Sequence, residues 1–207
     1  MKKTVFTQYD LNSTPQIQFE ITELSRLFAE SGSHPYEAHI HSFYQIIWFR
    51  KGTGRHYVDF KEYPVTDNTM FFISPGQIHY FEDNRQVEGI VIHFNEGFLS
   101  DEGSSENVFL KYNVFNAFDA SPYYHIHQQD VDKLAFLVQE MEEETCNDRL
   151  FAHKDLLKYL IRMMLIYVQR TGERGHGLPL CINNAANRTF VRIRQMLEHQ
   201  YHTKHTV

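Results

Sequence analysis

The sequence predicts a mainly β fold with α: an N-terminal antiparallel β-barrel, two antiparallel helices and a C-terminal helix. Three observations predict it. Short β-rich runs separated by turn residues fill about residues 17–95. From Asp130 the apolar residues change to helical spacing. A glycine- and asparagine-rich stretch then separates this part from a last, basic helix. A length of 207 residues suits one substantial domain with at most a small appendage, and 17 Phe, 12 Tyr and one Trp supply bulk for its core.

Taken in order, QIIWFR, KGTG and RHYVDFKEY predict a hairpin, two β-rich runs around a glycine-containing turn. In the second run His56, Val58 and Phe60 alternate with Tyr57, Asp59 and Lys61. NTMFFIS, IHYFED and VEGIVIHF continue the series, with Pro75-Gly76 and Asp83-Asn84 as punctuation. Many short strands at short spacing predict an antiparallel sandwich or barrel. Residues 96–130 mix polar turn residues with aromatics and predict short helices or loops packed across a barrel end.

Val131, Leu134, Leu137, Val138 and Met141 fall on one face of the first long helix. A second helix is predicted from near Leu150, capped by Asn147 or Asp148, to Thr171-Gly172. Its apolar face is wide and includes Ile161, Leu165 and Val168. The two helices should pair antiparallel, and the surplus apolar surface could cover the barrel or meet a second subunit, for which Leu156, Leu157, Leu160 and Met164 are the predicted contact. This gives a domain over 1–172, a linker over 173–187 and a last helix within 188–207, carrying Phe190, Ile193, Met196 and Leu197 on one face. Residues 188–207 have a formal charge of +3, which leaves −9 on the remainder of a chain whose total is −6.

That total argues against a nucleic-acid binder over its whole surface. The chain has no apolar run of the roughly 18–20 residues that span a bilayer, and its start lacks the apolar block of a secretory signal, so a soluble cytoplasmic protein is expected. Cys146 and Cys181 are read as free structural thiols. There is no GxSxG elbow, glycine-rich phosphate loop or HExxH helix.

The chemistry concentrates at HIHSFYQ. Residues two apart on a strand share a face, so His39 and His41 can point the same way and Gln45 has the same parity. His79 follows the Pro75-Gly76 turn on a later strand. If the barrel brings these strands together, three imidazoles and an amide oxygen converge on a divalent cation such as zinc, nickel or iron. The competing readings are imidazoles hydrogen-bonded at a barrel mouth, and a metal-free pocket lined also by Tyr44, Trp48, His56, Phe72 and His93.

"AHIHSFYQIIWFRKGTGRHYVDFKEYPV" followed by "NTMFFISPGQIHYFED" resembles the amino-terminal cupin domain of AraC-type transcriptional regulators. "FVRIRQMLEHQYHTKHTV" is similar to the opening helix of that family's helix-turn-helix DNA-binding domain. The resemblance implies a cupin-like, ligand-sensing barrel, two helices that supply a homodimer contact, a linker, and DNA binding through recognition helices that lie beyond this chain. It also implies the general cupin metal pattern at His39, His41, Gln45 and His79, with a departure at Gln45, where metal-bearing cupins usually place glutamate. The expected function is an effector-sensing and dimerisation region that binds a small molecule, such as a sugar or aromatic acid, and controls a DNA-binding domain. The alternatives are a small metal-dependent cupin enzyme, an oxygenase or isomerase, and a dimerisation module with a filled barrel.

Overall fold

A computed structural model describes residues 6–11, 18–82, 86–99, 112–115 and 121–176. In strand β4, Tyr44–Lys51, two apolar sets alternate: Tyr44, Ile46 and Trp48 on one face, Ile47 and Phe49 on the other. A strand apolar on both faces needs cover on both. Around it stand β1 (Thr7–Tyr9), β2 (Phe19–Glu23), β3 (His39–His41), β5 (Gly54–Val58), β6 (Lys61–Val65), β7 (Thr69–Ile73), β8 (His79–Phe81), β9 (Glu88–Phe94) and β10 (Tyr123–His125). They form two five-stranded sheets, in the orders β1-β3-β8-β5-β6 and β10-β7-β4-β9-β2. All pairs are antiparallel except β1 with β3.

Ile47, Phe49, Phe71, Ile73 and Val91 of the second sheet meet Val58, Val65 and Phe81 of the first and fill one end of the space between the sheets. The outer face of the second sheet, with Tyr44, Trp48, Met70, Phe72, Ile90 and Phe94, is covered by helices α3 (Gln128–Thr145) and α4 (His153–His176). Asp130 near the start of α3 touches Thr171 late in α4, and Glu144 near its end touches His153 at the start of α4, so the pair is antiparallel, as expected. No helix among the described residues is long and apolar enough to cross a membrane.

The structure corrects several sequence expectations. QIIWFR and RHYV do not pair: β4 lies in the second sheet and β5 in the first, and the connection through Gly52 crosses between them. RHYVDFKEY is not one strand but the hairpin β5–β6, turning at Asp59-Phe60 with φ of 48° and 64°. Two left-handed residues make the tight turn whose twist suits a hairpin. Asparagine and glycine usually occupy it; here Asp59 is tied down by Gln77 Nε2 at 2.9 Å and by its own N–H to the Ile78 carbonyl at 2.8 Å.

The strand-rich N-terminal half also contains helix α1, Leu24–Glu30, and a short 3-10 turn at His34–Tyr36. Leu24 is buried, and Leu27 and Phe28 at the third and fourth positions after it pack on the same core. Residues 96–130 supply helix α2 (Glu96–Leu99), a 3-10 turn at Asn113–Phe115 and the edge strand β10, with the rest outside the described residues.

Helix α4 begins at His153, three residues after the expected Leu150, behind Ala152 with φ of 56°. It continues to His176, past the expected stop at Thr171-Gly172, so residues 173–176 of the expected linker are helical. The remainder of the expected linker, Cys181 and the expected last helix lie outside the described residues. Leu157, Leu160 and Met164, expected at a dimer contact, are 3%, 6% and 0% exposed and belong to the layer against the sheet. A wide apolar face on a helix that covers a sheet is spent largely on that sheet.

Candidate functional site

The end of the sandwich left open by the core is lined by histidines. On the first sheet, His39 of β3 stands directly opposite His79 of β8, and His41 shares the same face. Pro75-Gly76 sets this register: Gly76 takes φ of 77°, the Gln77 N–H donates to the Ser74 carbonyl, and the Gly76 N–H donates to the His41 carbonyl at 2.8 Å. This is a type II turn, which needs glycine at its third position. On the second sheet, Gln45 of β4 faces His93 of β9, and His93 faces Glu20 of β2.

The cavity between them has a volume of about 270 Å³. Its floor is His39, His41, Gln45 and His79, with His34, Phe43, Phe81 and His93 as walls and Tyr9, Asp10 and Glu20 among the rim residues. Ligand atoms of His39, His41 and His79 lie within 4.8 Å of one another, and all three rings are buried. His39 Nδ1 lies 2.7 Å from the Glu37 carbonyl and must donate to it, which leaves His39 Nε2 with a lone pair. That atom is 3.1 Å from His41 Nε2, so in neutral rings His41 is the donor between them.

His79 Nδ1 lies 3.0 Å from Nε2 of His56, a ring with 0% exposure that stacks on Phe81 behind the cavity. Gln45 Nε2 donates to His93 Nε2 at 2.8 Å. His41 Nδ1, Gln45 Oε1, His56 Nδ1 and His79 Nε2 are buried without a hydrogen-bond partner among the described residues. Such concentration is unusual, since buried polar atoms nearly always find partners.

Burial disfavours the charged form of five of these rings. It pushes His41 down to about 2 and His56 to about 3, with neighbouring imidazoles adding to the effect. His34 falls to about 4, and His39 and His79 are also lowered, all chiefly by loss of water. The His93 ring holds the Glu20 carboxyl below its usual value.

These donors fit a divalent transition metal. Neutral imidazoles are its commonest ligands, and at bond lengths of about 2.0–2.1 Å tetrahedral nitrogens stand roughly 3.3 Å apart, close to the His39–His41 separation. His39 already donates its other ring N–H to a carbonyl, and His79 can donate its own to His56, which turns a lone pair of each ring toward the cluster. Gln45 adds a neutral oxygen but no charge.

Of the nine sequence-predicted site residues, the structure brings together His39, His41, Gln45, His79 and His93, with His56 immediately behind them. Tyr44, Trp48 and Phe72 are corrected: they face the opposite side of the second sheet and pack in the helix-covered core. Parity decides this, because Gln45 and Phe71 face inward and their neighbours along the strand must face out. Sequence reasoning missed His34, which forms a stack with Tyr9 at a ring separation of 3.3 Å, together with Phe43 and Glu20. His34 and Phe43 sit in a turn and a strand junction, where no periodicity marks them, whereas Glu20 was visible only as the cross-strand partner of His93.

A family model for the AraC-like ligand binding domain matches residues 23–155. No curated protein matches the chain. Among solved structures, apo ToxT from Vibrio cholerae is 12% identical with a TM-score of 0.42, over 81% of this chain and 59% of that one. The chain thus spans about three-fifths of the length of that ToxT chain. The AraC-like transcriptional activator CuxR is 13% identical with a TM-score of 0.38, over 87% of this chain and 73% of that one. Oxalate decarboxylase from Bacillus subtilis is 17% identical with a TM-score of 0.25, over 35% and 20%. With these scores below 0.5, the assignment rests on the family model.

Proposed function

Because the chain belongs to the family of AraC-like ligand-binding domains, we propose that it senses a small molecule in the cavity floored by His39, His41, Gln45 and His79 and passes its occupancy to an attached DNA-binding unit. The observation that carries this reading is a cavity of about 270 Å³ at which His41, Gln45 and His79 each present a buried polar atom lacking a protein partner among the described residues. A cavity of mostly apolar walls with a few convergent polar groups is what a small-molecule site requires.

Occupancy has a physical route outward. Gln45 faces the cavity while the adjacent Tyr44 faces the helices, where its hydroxyl donates to Glu96 of α2 at 2.6 Å. Arg162 of α4 donates to the Leu99 carbonyl at the other end of α2 at 2.7 Å. A ligand shifts the outcome only by its difference in affinity between two arrangements of these elements.

The homodimer contact moves to the opposite face of α4. Leu156, Tyr159, Met163 and Ile166 are 41%, 60%, 43% and 41% exposed. Their spacing of three and four residues makes one apolar seam, the pattern by which two copies of a helix pack together. The DNA partner, and with it a cytoplasmic location, belongs to the DNA-binding unit expected from residue 188 onward.

Thermal-shift measurements over sugars, sugar acids, aromatic acids and the chlorides of zinc, nickel and cobalt test the sensing reading. A compound that binds at a hundred times its Kd stabilises by about 2.7 kcal/mol, and its effect should vanish in Gln45→Leu. Equal shifts in the variant, or none in any class, would overturn it.

The three-histidine cluster favours a second, compatible reading, that a divalent metal forms part of the sensing floor. The same metal would serve an oxygenase or isomerase, but the family favours the sensor. Metal content of protein purified without added metal tests this. Stoichiometric zinc, nickel or iron lost on His79→Ala supports it, and metal retained by that variant contradicts it.

A further inference from the structure

Three cross-strand neighbours stand in a row on the inner face of the second sheet: Glu20 opposite His93, and His93 opposite Gln45. Such neighbours have Cβ atoms about 5 Å apart, within reach of one another. A carboxylate can only accept, and Glu20 Oε2 stands 3.7 Å from His93 Nδ1, which favours the ring proton on Nδ1. Nε2 is then a lone pair, so the Gln45 nitrogen, 2.8 Å away, must face it as a donor. The amide oxygen is consequently turned away from His93; it is buried without a hydrogen-bond partner among the described residues, on a side chain that lines the same cavity as His39, His41 and His79.

We infer that Glu20 is a positioning residue which, acting through His93, holds the Gln45 amide with its oxygen toward His39, His41 and His79 and thereby makes that floor a site for a divalent cation. The inference rests on the metal reading above. Without the carboxylate, neutral His93 is free to carry its proton on Nε2. The amide must then present its oxygen to that proton and its NH₂ group to the cluster. An NH₂ group in that place opposes a cation instead of ligating it. Glu20 is half-exposed at the rim, and among the described residues its polar neighbour toward the floor is His93, so its influence runs through the row.

Cobalt(II) titration of the purified protein, read by its visible absorption and by calorimetry, tests the relay. Glu20→Leu, which leaves no acceptor opposite His93 Nδ1, is expected to weaken cobalt binding roughly tenfold, the usual effect of losing a partner behind a metal ligand, and to change the absorption band as an oxygen leaves the cobalt. In a His93→Leu background the same substitution should be silent, because the link is already cut. It should also be silent in Gln45→Glu, whose carboxylate presents an oxygen either way. If Glu20→Leu weakens binding equally with and without His93, the carboxylate acts by charge through space and the relay is overturned. No weakening in the parent protein overturns it as well. A parent protein that takes up no cobalt at all overturns the metal reading and the relay together. Melting curves by circular dichroism on each variant separate loss of fold from loss of binding.

Discussion

His56 is fully buried with its Nε2 held against His79 and its Nδ1 unpartnered, and burial pushes its pKa down to about 3. In the unfolded chain the ring titrates near 6.5, so over the interval between these values the unfolded state binds the extra proton. Stability from this group is therefore fully present above about pH 6.5 and drains away as pH falls toward 3. Between pH 7 and pH 5 one such ring contributes a loss of about 2 kcal/mol. Urea unfolding of metal-free protein at the two pH values should show at least that decrease, since His41, His39, His79 and His34 shift in the same direction. His56→Gln should flatten the dependence by about one ring's share. A pH-independent stability between 7 and 5 would mean that the cluster is hydrated rather than dry.

At the scale of elements, Asp59-Phe60 and α4 yield two further expectations. Phe60 is 72% exposed with φ of 64°, a conformation that costs a residue with a Cβ about 1–2 kcal/mol. Phe60→Gly should therefore raise stability by about 1 kcal/mol in denaturant unfolding, since its ring meets Phe6 only loosely, at 6.2 Å between centroids. On α4, Leu157→Ala should cost about 2–5 kcal/mol of monomer stability as a buried large-to-small change. Met163→Lys should leave the fold intact and lower the mass seen by sedimentation from dimer to monomer. The reverse assignment, with Leu157 controlling mass and Met163 stability, would contradict the burial pattern.

These elements also show what the sequence made legible. The change from alternating to helical spacing near Asp130 located α3, and α4 followed within three residues at its start. The hairpin was misplaced because KGTG looks like a turn, yet Gly52 carries the chain from one sheet to the other while the true turn is the unusual pair Asp59-Phe60. Leu24, Leu27 and Phe28 carried a helical spacing inside a region read as strand. Among the site residues, HxH and the PGxxH turn were informative because a register of two and a glycine turn fix directions locally. Tyr44, Trp48 and Phe72 were misassigned because an apolar strand covered on both faces gives no sign of which face holds the cavity.

For the whole molecule, two cores sit on either side of the second sheet, and their separate roles define the account. One is closed, between the sheet and α3–α4; the other is filled at one end and open at the other, where the histidines stand. This division places the cavity on one side of the sheet and the exposed seam of α4 on the other. Residue-level signals could not reveal it, because it depends on which strands share a sheet. Carbon–proton correlation spectra of histidine-labelled protein, recorded with zinc and with each compound that raises the melting temperature, test the central claim most directly. Perturbation concentrated on the imidazoles of His39, His41, His79 and His93 is the predicted result. Shifts confined to His125 or His153, or unchanged spectra at saturating ligand, would contradict it.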